Sequence, residues 1–122
     1  MSAEIDEYRE GRITMRAVVD SYGAEERAMG WYHYLEGEIS FPFQALCLRR
    51  KATSPLHKDG FYSVKRMADV DDCVRDMYVM VEFDDDELAV QLSQLEPIGE
   101  LDDESREAIC DWHYWCEHGY QF

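Results

Sequence analysis

DMYVMVEFDDDELAVQL, residues 76–92, is the stretch on which the fold turns. Residues 76–83 are rich in Val, Tyr and Phe, whose branched or aromatic side chains pack well on a pleated surface. Residues 88–92, LAVQL, have the same extended character. Between them Asp84, Asp85, Asp86 and Glu87 form an acidic tetrapeptide that reads as the tight loop of a hairpin, with 88–92 as its returning strand.

Working outward, FYSVKRMA at 61–68 and FPFQALCL at 41–48 are further strand candidates, joined by the polar, Pro- and Gly-containing loop KATSPLHKDG at 51–60. Upstream, residues 4–22 place Ile5, Tyr8, Ile13, Met15, Val18, Val19 and Tyr22 at spacings near three and four, which predicts an amphipathic helix ended or bent by Gly23. A second helix is predicted over 24–35, with Met29, Trp31, Tyr32, Tyr34 and Leu35 as core material, stopping at Gly37 before Pro42. Downstream, Asp102, Asp103 and Glu104 open a last helix, where negative charge suits the positive end of the helix dipole, and this helix stops near Gly119. The expected fold is therefore α+β: a small antiparallel sheet or a partly open SH3-like barrel, covered by two N-terminal helices and one C-terminal helix. At 122 residues the chain suits one domain spanning 1–122.

Twelve Lys and Arg stand against 27 Asp and Glu, a net charge of −15. Such a surface repels nucleic-acid phosphates and anionic lipid, so neither nucleic acid nor membrane is an expected partner, and cations are. With 46% hydrophobic residues the chain carries enough core material to fold despite that charge. The opening MSAEIDEYREGR has no apolar stretch of the signal-peptide kind, and no apolar run approaches the roughly 20 residues of a membrane helix. Cys47, Cys73, Cys110 and Cys116 are scattered without a CxxC pair. A cytoplasmic monomer with reduced thiols is the expectation.

Calcium takes six to eight oxygen ligands, so a site needs several carboxylates or carbonyls converging. Asp69, Asp71, Asp72 and Asp76 lie between two predicted strands, Asp84, Asp85, Asp86 and Glu87 at the hairpin tip, and Asp102, Asp103 and Glu104 at a helix start, while Glu36 and Glu38 flank Gly37. Neighbouring carboxylates repel one another unless a cation offsets the repulsion, which favours a metal role for 69–76 and 84–87. Asp102 and Asp103 read instead as helix caps. No window is an EF-hand: counted from Asp69 the sixth position is Val74 and the twelfth Met80, and counted from Asp84 the sixth is Ala89. Cys110, His113 and Cys116 suggest zinc, but steps of three residues turn by about −60° each around a helix, too divergent for one closed site. Cys110 is expected in the core and His113 as a partly buried hydrogen-bonding residue. No nucleophile, phosphate-loop or dinucleotide motif is present in the sequence, and no catalysis is expected.

Val19-Asp20-Ser21-Tyr22-Gly23, Glu25-Glu26-Arg27-Ala28-Met29-Gly30-Trp31-Tyr32, Phe41-Pro42-Phe43, Ala89-Val90-Gln91-Leu92-Ser93-Gln94-Leu95-Glu96-Pro97 and Asp111-Trp112-His113-Tyr114-Trp115 resemble the CcbP family of calcium-binding proteins, first described in cyanobacteria, over about residues 12–116. The resemblance implies a compact fold without EF-hands, calcium held at a negatively charged surface, and a role in buffering or sensing intracellular calcium. It also implies calcium near the end of the second helix, at Glu36, Gly37 and Glu38. The family pattern has a further acidic residue where this chain has Gly37, implying a site that is weaker or uses Glu38 instead.

The metal ligands expected on chemistry are Glu36, Glu38, Asp69, Asp71, Asp72, Asp84, Asp85 and Asp86. The rival expectation is an acidic interaction module that docks a basic protein partner and binds calcium only incidentally.

Overall fold

The computed structural model describes residues 6–19, 21–49, 54–120 and 122. Glu4, Ile5, Asp20 and residues 51–53, which enter the readings above, lie outside them.

The hairpin forms as β3, Tyr78–Phe83, and β4, Asp86–Gln91. Its loop is shorter than expected: Asp84 and Asp85 alone turn the chain, with φ of 50° and 64°. Two consecutive left-handed residues match the right-handed twist of the flanking strands, and Asp tolerates that conformation better than most residues. Asp86 and Glu87 are thus not loop residues. They are paired in β4 opposite Phe83 and Glu82, and they are exposed.

β1, Phe43–Cys47, and β2, Phe61–Met67, pair with each other, and β2 pairs with β3 through an irregularity between Val64 and Arg66. A fifth strand unforeseen in the sequence, β5 at Leu95–Ile98, pairs antiparallel with β1. The order β4-β3-β2-β1-β5 is an open antiparallel sheet rather than a barrel. β5 escapes sequence reading because it has four residues and contains Pro97. A proline, having no N–H to donate, is tolerated in an edge strand.

The helical segments depart furthest from expectation at the N-terminus. α1 spans only Glu7–Arg12, with Asp6 capping it by accepting from the Arg9 N–H at 3.0 Å. A π-helical turn, Ile13–Ala17, follows, and the helical run stops there rather than at Tyr22. Of the seven apolar residues assigned to one helical face, Ile13 is buried and Val18 packs partly against the core, while Tyr8, Met15, Val19 and Tyr22 are exposed. The wider π turn has a physical partner in α2, Ala24–Glu38. A Cβ on Gly30 would sit 2.0 Å from the Ala17 carbonyl oxygen, so only glycine admits the turn at this point.

α2 runs through Gly37 instead of stopping there and ends where the Ile39 N–H bonds the Leu35 carbonyl at 3.0 Å. The buried Ser105 hydroxyl closes that end, accepting from the Ser40 N–H at 2.7 Å and lying 3.3 Å from the Glu38 carbonyl while it donates to Asp102 Oδ1 at 2.7 Å. Ser105 belongs to α3, Asp103–Glu117, which Asp102 caps as expected by accepting from the Ser105 N–H at 3.0 Å. Trp31 and Leu35 of α2 and Ile109 and Trp112 of α3 join Val64, Val79, Val81, Val90 and Leu95 of the sheet in one buried cluster. No helix among the described residues is long and apolar enough to cross a membrane.

Candidate metal centre

The chain order separates the acidic clusters, and folding brings two of them together at Tyr32. The Tyr32 hydroxyl, buried on α2, donates to the Ala68 carbonyl at 2.8 Å, fixing the last turns of α2 against the exit of β2. Glu36 stands one turn further along the same helix face, and Asp69 directly follows Ala68. Burial first, and then the negative charge of Glu36 and Asp69, pushes the Tyr32 phenol up to about 12. Two expected ligands from distant segments therefore flank one hydroxyl and one carbonyl. Sequence reasoning missed Tyr32 and Ala68, although the four-residue spacing from Tyr32 to Glu36 was a usable signal.

Asp69 precedes a 3-10 turn, Val70–Asp72, on which Asp71 and Asp72 are exposed. The Asp72 N–H bonds the Asp69 carbonyl at 2.9 Å, so this acidic turn is held by its own backbone. Asp76 is held separately. Its carboxylate accepts from the Met77 N–H at 2.8 Å and from Gln91 Nε2 at 2.6 Å, which commits it to the sheet. Burial, chiefly, and the charges of Asp72, Asp76 and Asp69 push the Cys73 thiol up, so it stays protonated and is a poor metal ligand.

Glu38 is half-buried beside Arg16 of the π-helical turn, whose Nη1 donates to Glu38 Oε1 at 3.0 Å. At the hairpin, Asp84, Asp85 and Asp86 are exposed, and Asp85 and Asp86 line a shallow depression shared with Lys65 and Arg66. Those two cations pair with Glu82 and Glu87, each at 3.1 Å.

Among the described residues, no three His, Cys, Asp or Glu side chains are grouped to hold one metal ion. The Glu36 and Asp69 carboxylates nevertheless fit calcium in kind as hard donors, whereas the Tyr32 hydroxyl and the Ala68 carbonyl are buried and bonded to each other. The carboxylates would cover part of a coordination shell and leave the rest to water. The zinc reading fails on placement. Cys110 is exposed rather than in the core, and His113 Nε2 donates to the Leu95 carbonyl at 2.7 Å.

The model of a calcium-binding family, CcbP, matches residues 11–116. The chain belongs to this family. Among solved structures, the crystal structure of CcbP from Anabaena is 41% identical with a TM-score of 0.87 and covers 100% of both chains. A second, a calcium-binding protein in its calcium-binding form, matches with the same identity, coverage and TM-score. No curated protein matches the chain. In this CcbP family member the segment from Gly11 to Cys116 holds α2, the whole sheet and nearly all of α3, so the match spans every element around Tyr32.

The most deeply buried acid among the described residues has a different task. Asp111 of α3 is fully buried, and its two oxygens accept from Arg9 Nη1 at 2.7 Å, Arg12 Nη2 at 2.7 Å, Arg12 Nε at 2.9 Å and the Tyr34 hydroxyl at 2.6 Å. Both oxygens are saturated by protein donors, so Asp111 anchors α1 to α3 and is closed to an ion. The hydrogen bond to Asp111 is the main reason the Arg12 guanidinium is raised still further above its usual value.

Proposed function

We propose that the chain binds calcium at the acidic surface around the end of α2, where Glu36 and Asp69 act with carbonyl and water oxygens and Glu38, Asp71 and Asp72 offer further carboxylates at neighbouring positions rather than in one cluster, and that it buffers or senses the free ion inside the cell without catalysis. The observation that carries this reading is the convergence of Glu36 and Asp69 on the Tyr32 hydroxyl and the Ala68 carbonyl. A second, weaker site is assigned to Asp84, Asp85 and Asp86, where Lys65 and Arg66 already supply positive charge. Open sites of this kind leave much of the ion's hydration in place, so affinity on the order of micromolar to hundreds of micromolar is expected. Part of the attraction is the field of the −15 chain, so affinity falls as salt rises.

The test is calorimetric titration of metal-free protein with calcium, in the presence of magnesium, for the wild type and Glu36→Gln/Asp69→Asn. Saturable calcium binding that weakens at least tenfold in the variant supports the site. Binding unchanged in the variant overturns it, and no binding beyond that of magnesium overturns the calcium reading as a whole.

A second reading, a basic protein partner, draws support from the exposed Tyr8, Met15, Val19, Tyr22 and Met29 on an acidic molecule. Capture of a basic partner in the presence of a chelator would favour it.

A further inference from the structure

Arg16 reaches across from the π-helical turn to the last turn of α2, where it meets Glu38 at 3.0 Å. Its side chain is 60% exposed and that of Glu38 29%, so the pair sits at the surface, within reach of ions from solvent. We propose that Arg16 is a tethered counter-cation that competes with calcium for Glu38, so that calcium binding frees the π-helical turn from the end of α2. This inference rests on the assignment of Glu38 to the calcium site.

The physical case begins with charge. The guanidinium is permanently protonated and holds Glu38 Oε1, one of the two oxygens the carboxylate can offer an ion. A calcium ion must approach a carboxylate oxygen to about 2.3–2.6 Å, and a divalent cation there repels the guanidinium. One of the two cations has to yield. An exposed ion pair is weak, so Arg16 tunes the affinity rather than blocking the ion.

The surrounding contacts decide what moves. Arg9 and Arg12, the other arginines of the N-terminal segment, are committed to buried Asp111. Glu10 accepts from the Tyr114 and Tyr120 hydroxyls at 2.6 and 2.7 Å. α1 therefore stays docked on α3 when Arg16 lets go. The π-helical turn keeps the packing of the Ala17 carbonyl against Gly30 but loses its polar tether to α2. By linkage, the factor by which Arg16 weakens calcium binding equals the factor by which calcium weakens the Arg16 contact.

The experiment titrates calcium into the full chain, with magnesium present, for the wild type, Arg16→Gln, Glu38→Gln, the double variant and Lys58→Gln. Lys58 is exposed in the loop before β2, at the far end of that strand from Asp69, and its replacement removes the same charge. Arg16→Gln is expected to tighten binding by about two- to fivefold, the range an exposed ion pair commands, with a smaller effect from Lys58→Gln and none in the Glu38→Gln background. Calcium is also expected to speed amide exchange across residues 13–17 in the wild type but not in Arg16→Gln. Equal tightening by Lys58→Gln, or tightening that survives Glu38→Gln, overturns the proposal. If Glu36→Gln/Asp69→Asn abolishes calcium binding while Arg16→Gln leaves it unchanged, the site stands and only the competition falls. If the wild type binds no calcium, both fall.

Discussion

The Tyr32 hydroxyl and the Ala68 carbonyl oxygen, 36 residues apart in sequence, are joined by a buried hydrogen bond of 2.8 Å. This bond pins the turn of α2 that leads into Glu36 to the strand exit that leads into Asp69. Tyr32→Phe keeps the ring and its packing but removes the donor, leaving a carbonyl without its partner. A loss of about 1 kcal/mol in urea unfolding is expected. Calcium affinity, measured by calorimetry, should fall severalfold because the two carboxylates are no longer held in register. Unchanged affinity would separate the hydroxyl from the site.

Gly30→Ala sets two effects against each other. Alanine is the better helix former by about 1 kcal/mol. Against this, its methyl would stand 2.0 Å from the Ala17 carbonyl oxygen, a backbone atom that cannot swing aside like a flexible side chain. Overpacking of this kind costs about 1–3 kcal/mol. The expected outcome is a lower melting temperature and faster amide exchange at residues 13–17, with calcium binding through Glu36 and Asp69 retained.

Asp111→Asn leaves two guanidinium groups facing a neutral amide. The Arg9 and Arg12 side chains keep 19% and 14% exposure. The loss should therefore lie near the lower end for a broken buried pair, about 3 kcal/mol by chemical denaturation. Protease cleavage near α1 should become faster.

His113 makes stability fall in mild acid. Burial, above all, holds its pKa below the ordinary 6.5, opposed by its bond to Leu95 and by the charges of Glu117 and Glu96. A lowered folded pKa means that the unfolded chain takes up the proton first. The neutral ring's contribution is fully present above pH 6.5 and is lost as the pH falls through the lower folded value. Unfolding free energies at pH 7.5 and 5.5 should therefore drop more for the wild type than for His113→Gln, which retains a donor for Leu95.

At the hairpin, Asp84→Asn with Asp85→Gly supplies the residues that tolerate two positive φ angles best. Stability should rise by about 0.5 kcal/mol, because relief of the left-handed strain outweighs the greater freedom glycine gives the unfolded chain. Calorimetry should show the weaker calcium site lost and the stronger one kept. Loss of the stronger site instead would move the principal site to the hairpin.

The hairpin was readable in the sequence because its two apolar strands bracket a run of charge, yet Asp86 and Glu87 looked like loop. They belong to an edge strand whose polar side chains face water, and composition alone does not distinguish the two. β5 was hidden by its brevity and by Pro97. The N-terminal segment misled because apolar spacing says nothing of a carbonyl, that of Ala17, which fits only against a missing side chain. At the candidate metal centre the acidic residues themselves were legible one by one. Their grouping was not, since whether a carboxylate faces a cation from solvent or a neighbouring arginine depends on the fold. Glu38 meets Arg16, and Asp76 serves Gln91.

The sheet's two outer strands bear on how concentrated this protein can become. Under the proposed buffering role, capacity grows only with the number of copies. An open five-stranded sheet at high copy number invites strand-to-strand stacking into fibrils. Here one border carries Asp86 and Glu87 and the other carries Pro97, so the first meets another copy with like charge and the second lacks a donor. Crowding is resisted at the borders of the sheet.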